Sequence, residues 1–316
     1  MKPFNIFPPD VNVNFMRVRY FSLGIAALIM VVAIAAMGIK GFNFALDFTG
    51  GTVTELRFAK PADVDAVRER LAEGGFENAQ VQRFGSSHDL LVRLQTKEGA
   101  AGSAAKQTAE DVVRMATTPD NPATVTKSDF VGPQVGKELA LNGLYALLFV
   151  VLGFLIYISM RFELKFAIAA IVTTLHDVVL VCGWFAISQH EFDLTVLAGV
   201  LAVMGFSIND TIVVFDRVRE NFRGLRAPPI EIMNRSVNQT LSRTVITSFV
   251  AFLSMLALYI YGGSSLRGLA EAQIIGVIIG TLSSIYIACP LLLLQHATKQ
   301  DLMPKAKDDA ALARRP

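Results

Sequence analysis

Charge is scarce in this chain. Of its 316 residues only 18% are Asp, Glu, Lys or Arg, against about 25% in soluble globular domains. The 29 basic and 27 acidic side chains leave a net charge of +2, which gives no reason to expect nucleic acid as a partner. Cysteine is nearly absent: Cys182 and Cys289 stand far apart inside apolar stretches, so they read as buried free thiols and not as a disulfide framework. The four histidines include no His-Glu-x-x-His pair, and no serine sits in a Gly-x-Ser-x-Gly turn. Neither a zinc site nor a hydrolase is therefore indicated, and no cofactor is expected.

Apolar side chains fill the space that charge leaves. They make up 53% of the chain and are gathered into blocks of about 20 residues, the length a helix needs to cross a bilayer at 1.5 Å per residue. Six such blocks run over residues 20–39, 139–159, 165–188, 194–215, 243–261 and 268–294. The first follows Arg17 and Arg19 and resembles a secretory signal, but its apolar stretch is longer than a signal core, and it is read as an anchor. Lys and Arg of short loops resist translocation. Lys2, Arg17 and Arg19, then Arg161 and Lys165, then Arg217, Arg219, Arg223, Arg226 and Arg235, and finally Lys299, Lys305, Lys307, Arg314 and Arg315 all fall on one side of a six-span arrangement. Both termini, residues 1–19 and 295–316, are accordingly expected in the cytoplasm.

The stretch 40–138 then lies outside the cytoplasm, between the first span and the five-helix region 139–294. It reads as a strand over Leu46 to Phe58 interrupted at Gly50-Gly51, and as a helix carrying Val64, Val67 and Leu71 with Pro61 in its first turn. Extended segments near Ala79 to Phe84 and Leu90 to Leu94, a helix near Ala104 to Met115 and a strand near Ala123 to Phe130 follow. The order β-α-β-β-α-β is that of a ferredoxin-like α+β domain. The fold class is therefore a polytopic α-helical membrane protein of six transmembrane helices, with a ferredoxin-like external domain between the first and second.

Ionisable groups at membrane depth cost at least about 2.5–3.5 kcal/mol each, so each needs a partner or a task. Asp210 lies about five residues, roughly 8 Å, inside the end of the fourth span, with Ser207 on its face and Asn209 beside it. It is either tied to a neighbouring helix for packing or set on an ion or proton path. Arg243 opens the fifth span at similar depth, with Thr247 one turn further in; it either pairs with Asp210 or extends to the lipid interface. His176 and Asp177 sit in the middle of the third span, where adjacent helical residues point about 100° apart and are not expected to bond each other. Ala272, Gly276, Gly280 and Ser284 place a small residue every four positions on the last span, which admits the close approach of another helix, from this chain or a partner.

The run Gly205-Phe206-Ser207-Ile208-Asn209-Asp210-Thr211-Ile212-Val213-Val214-Phe215-Asp216-Arg217-Val218-Arg219-Glu220-Asn221 resembles the fourth-span signature of the SecF branch of the SecD/SecF protein-export family. Leu46-Asp47-Phe48-Thr49-Gly50-Gly51, Val131-Gly132-Pro133-Gln134-Val135-Gly136 and Asn238-Gln239-Thr240-Leu241-Ser242-Arg243-Thr244 are similar to that family too. The resemblance implies a multi-pass subunit of the bacterial inner membrane, in the resistance-nodulation-division superfamily. Such a subunit works with SecD beside the SecYEG channel and SecA, and uses the proton-motive force to help export unfolded preproteins. It implies Asp210 and Arg243 as proton-coupling residues; His176, Asp177, Ser207 and Asn209 are candidates for supporting polar groups by their place in the spans. A small-molecule efflux unit of the same superfamily and a purely structural scaffold are the competing readings.

Overall fold

The computed structural model describes residues 12–76, 79–83, 85–94 and 102–297. A short 3-10 turn, Phe15–Val18, leads into α1 (Arg19–Ile39), α2 (Leu46–Thr49), β1 (Gly51–Phe58), α3 (Val64–Glu73), β2 (Gln80–Arg83), β3 (Asp89–Leu94), α4 (Gly102–Ala116) and β4 (Ala123–Val131). Then come α5 (Pro133–Arg161), α6 (Leu164–Ser188), α7 (Leu194–Gly224), α8 (Pro229–Tyr261), α9 (Ser264–Ser283), a π-helical turn Ser284–Ala288 and α10 (Cys289–Leu294). Among the described residues six helical stretches are long and apolar enough to cross a membrane, as expected. The basic tail residues from Lys299 onward, and Lys2, lie outside the described residues.

The chain divides into two units. One comprises Phe44–Ala146, and its four strands form an antiparallel sheet in the order β2-β3-β1-β4. With a helix after β1 and another after β3, this is the ferredoxin-like arrangement. Its core is Leu56, Leu71, Leu90, Val92 and Val112. Two boundaries differ from expectation. Leu46–Thr49 is a helical turn and not strand, because Gly50 (φ 66°) and Gly51 (φ 124°) adopt left-handed geometry and reset the backbone. A side chain at Gly51 would overlap the Leu94 carbonyl, and one at Gly136 would come within 2.8 Å of the Gly50 nitrogen. Pro61 precedes α3 instead of opening it: Asp63 is the N-cap, its carboxylate accepting from the Asp65 N–H at 3.0 Å.

The other unit holds the remaining membrane-type helices. Its centre is the face between α7 and α9, where small residues let two backbones approach. Gly276 meets the Val203 side chain, Gly199 faces Ala272, Gly268 faces Val196 and Gly280 lies against Ser207. The small-residue stripe of the last span is thus filled by α7 of this same chain. On the opposite flank, Gly183 of α6 receives Ala33 of α1. At one end of this unit, Phe162, Phe166 and Phe215 pack edge-to-face and stacked, and Arg219 bonds Glu163 at 3.0 Å. The segment before α1 is tied to α8 by two asparagines: Asn238 exchanges two hydrogen bonds with the Val13 backbone, and Asn234 accepts from the Met16 N–H.

The π turn has an identifiable cause. Pro290 lacks the N–H that would bond the carbonyl four residues back, and its ring crowds that carbonyl. That carbonyl belongs to Tyr286, and it accepts from Ser22 Oγ of α1 at 2.9 Å instead. The helix is loosened where Ser283 and Ser284 stand.

Candidate functional site: two buried carboxylates

Asp210 sits on α7 with 5% of its surface exposed. Thr244 Oγ1 of α8 donates to its Oδ1 at 3.0 Å, and Ser284 Oγ of the π turn donates to its Oδ2 at 2.7 Å. Both partners are neutral hydroxyls, on two helices that flank α7. The arrangement exists because α7 can lie close to the last span across Gly276 and Gly280.

Asp177 on α6 is fully buried. Its Oδ2 accepts from Ser207 Oγ of α7 and from Ser283 Oγ, each at 2.6 Å, and its Oδ1 is bonded by His176 Nδ1 at 2.9 Å. The His176–Asp177 bond corrects the expectation that these neighbours would not meet. Their Cβ directions diverge, but the imidazole is long enough to swing back along the helix, and the ring has no competing partner at Nδ1. His176 is itself 6% exposed, and its Nε2 is buried with no hydrogen bond.

Ser207 therefore serves Asp177 and not Asp210, although it shares the α7 face with the latter. Asn209 is exposed, as its place in the helix turns it away from both carboxylates. Arg243 is exposed as well. No salt bridge joins it to Asp210 among the described residues; the next residue, Thr244, faces Asp210 in its place, since one step along a helix rotates a side chain by about 100°.

Three contributors escaped the sequence reading: Thr244, Ser283 and Ser284. Ser284 was visible as the last member of the small-residue stripe, where its hydroxyl counted only as small volume. Nothing in the spacing marks Thr244 except its position beside Arg243. Chemically the site is two carboxylates, four hydroxyl donors and an imidazole in an apolar bundle. A hydroxyl both donates and accepts, so each carboxylate can be held in its charged or its protonated form. Acceptor-only ligands for a cation are few here, and the two carboxylates are bonded to different hydroxyls.

Comparison with known proteins places these residues in a wider group. The family described as "Protein export membrane protein SecD/SecF, C-terminal" matches residues 111–298, and the "SecD/SecF GG Motif" matches residues 35–62. The second match contains Gly50 and Gly51. A protein translocase subunit SecF of Escherichia coli O157:H7 is 42% identical over 305 residues, covering 95% of this chain and 94% of that protein. A protein translocase subunit SecDF of Brucella abortus is 38% identical over 289 residues, 91% of this chain but 38% of that one. The crystal structure of SecDF from Thermus thermophilus, titled a translocon-associated membrane protein, superposes with a TM-score of 0.82 at 36% identity. It covers 92% of this chain, which spans 40% of the length of that structure.

Proposed function

The chain belongs to the SecD/SecF family of protein-export membrane proteins, and from that premise we propose that it is an export subunit that converts the proton-motive force into work on preproteins. In this reading it assembles with SecD beside the SecYEG channel and SecA, in the inner membrane, with both termini in the cytoplasm and the ferredoxin-like unit outside. The basic loops support the orientation. Relatives in which one chain carries the name SecDF support SecD as the partner.

The observation that carries the proton reading is Asp210, buried in the bundle and, among the described residues, hydrogen-bonded by hydroxyls alone. A carboxylate fixed by Arg or Lys would be locked in the charged state; Thr244 and Ser284 hold it without choosing. One charge moved through 100 mV is worth about 2.3 kcal/mol, which shifts an equilibrium between two packings by roughly 40- to 50-fold. Arg243, exposed on α8, is available to the paired six-span unit that SecD supplies, together with a further carboxylate from that chain. A small-molecule efflux unit is disfavoured by the size of the sheet unit, a single small domain of four strands.

The test is preprotein export into inner-membrane vesicles from cells depleted of this chain and then supplied with it. The chain should restore the part of export that an ionophore abolishes, and SecD should co-purify with it. An ionophore effect of equal size with and without the chain would remove proton coupling from the reading.

A further inference from the structure

We propose that Asp177 is a second proton-carrying carboxylate, coupled to Asp210 through the piece of helix that carries the neighbouring serines Ser283 and Ser284. The proposal rests on the proton-coupling reading of Asp210 and extends it to a group on a different helix.

Ser283 and Ser284 are neighbours at the entrance to the π turn, and each reaches a different carboxylate: Ser283 reaches Asp177 at 2.6 Å and Ser284 reaches Asp210 at 2.7 Å. Each hydroxyl has one proton to give. Each also has a second acceptor within reach, the Gly280 carbonyl at 3.1 Å from Ser283 Oγ and the Thr281 carbonyl at 3.0 Å from Ser284 Oγ. When the carboxylate is charged, the serine donates to it. When the carboxylate takes a proton, its new O–H donates to the serine oxygen, and the serine turns its own O–H to the carbonyl. Both serines can make this exchange without moving heavy atoms. The carbonyls concerned lie at the end of α9, directly before the loosened turn, so protonation at either carboxylate changes the hydrogen bonding of the same piece of helix.

His176 supplies the route to Asp177. It lines a cleft of about 440 Å³ whose other walls include Ser22, Leu180, Ser283 and Tyr286, and its Nε2 is the buried ring nitrogen left without a partner. With Nδ1–H on Asp177, Nε2 is the acceptor. A proton bound at Nε2 makes an imidazolium; the Nδ1 proton then passes to Asp177 Oδ1, leaving a neutral imidazole protonated at Nε2 beside a neutral carboxylic acid, and a half-turn of the carboxyl group exchanges its two oxygens so that the new O–H faces Ser283. No charge is created in the transfer beyond the one proton that enters.

The groups that face this cluster are limited. From α6 it is His176 itself, from α7 Asp210, and from the π turn Tyr286, which lines the same cleft; on α8 Thr244 faces inward and its neighbour Arg243 is exposed. α1 brings no charged residue between Arg19 and Lys40, and the last span none after Glu271 within the described residues.

The experiment is pH-difference infrared spectroscopy of the full chain co-assembled with SecD in lipid nanodiscs, reading the carboxylic acid C=O stretch in the native complex and in Asp177→Asn, Asp210→Asn, Ser283→Ala and Ser284→Ala. We expect Asp177→Asn and Asp210→Asn each to remove a different band, Ser283→Ala to shift the Asp177 band and Ser284→Ala the Asp210 band. A spectrum unchanged by Asp177→Asn, with a band still lost in Asp210→Asn, overturns the inference and leaves the coupling role of Asp210 intact. Spectra unchanged by both overturn the two together. Should Asp177→Asn fail to assemble, Ser283→Ala decides: a shifted band supports a titrating Asp177, and an unmoved one refutes it.

Discussion

Replacing Asp210 by Asn separates charge from shape. The ionised side chain accepts two hydrogen bonds, from Thr244 at 3.0 Å and from Ser284 at 2.7 Å. An amide of the same size offers one acceptor oxygen and an NH₂ donor, so one of the two hydroxyls must turn. Ser284 is able to, because the Thr281 carbonyl lies 3.0 Å from its Oγ; it then donates there and accepts from the amide. Thr244 keeps the amide oxygen. Both charge-assisted bonds become neutral, a loss of about 1 kcal/mol each, which the removal of a buried charge offsets in large part. Alanine at the same position leaves Thr244, which donates to Asp210 alone among the described residues, facing no acceptor, and costs about 1–3 kcal/mol before any cavity is counted. Asn should therefore assemble with SecD at near-normal abundance and unfold only slightly earlier than the native protein, Ala distinctly earlier, and both should lose ionophore-sensitive export. The assays are thermal unfolding of the purified complex and export into vesicles, with abundance measured for each variant. An Asn variant less stable than the Ala variant would refute the hydrogen-bond accounting; an Asn variant that exports normally would refute the coupling role.

Four further outcomes are expected. Arg243→Gln should change unfolding stability by no more than about 0.5 kcal/mol, since the side chain is exposed, while export falls; normal export would assign Arg243 to the lipid interface. Gly276→Val should destabilise the bundle by about 1–3 kcal/mol because the new side chain overlaps Val203, whereas Gly24→Ala, with open space around it, should not lower stability; equal effects would contradict the α7–α9 packing. Single cysteines at Ser86 and Arg223, in a background without Cys182 and Cys289, should label from opposite sides of the membrane, and labelling from one side would overturn the orientation. In the sheet unit, the Arg57 guanidinium at 2.7 Å, and after it the Ser86 hydroxyl, hold the Asp89 carboxyl below its ordinary value of 3.8. The stability this gives is complete above 3.8 and is lost as pH falls through the lowered value. Arg57→Ala should move the Asp89 titration back up in an NMR pH series, and an unmoved titration would deny the pair its role.

Much of the architecture was legible because it depends on length and periodicity. The six spans are runs of apolar side chains, and the β-α-β-β-α-β order follows from short alternating segments between turn residues. The failures share a different origin. Asp210 and Arg243 have matched depth on α7 and α8, yet depth says nothing about azimuth, and the rotation of α8 brings Thr244 inward and Arg243 outward. His176 and Asp177 meet through side-chain reach, which Cβ geometry alone understates. The π turn is written in Pro290, but its effect falls on residues 284–288, several positions earlier, where no local signal stands. Leu46–Thr49 has the apolar content of a strand, and only the backbone sign at Gly50 and Gly51 stops it being one.

The strap between the first residues and α8 carries a consequence for biosynthesis. Val13 bonds to Asn238, a partner 225 residues later in the chain. At 5–20 residues per second the ribosome needs roughly 11 to 45 s to deliver that partner. Throughout this interval the backbone N–H groups of Val13 and Met16 have only water or lipid headgroups to satisfy them, so the nascent first span waits in the bilayer with its leading segment undocked. Closure of the strap is a late event in maturation, and it marks the chain as having inserted through α8. A fusion partner placed before Val13 would meet its steric test at that moment, long after the first span has entered the membrane.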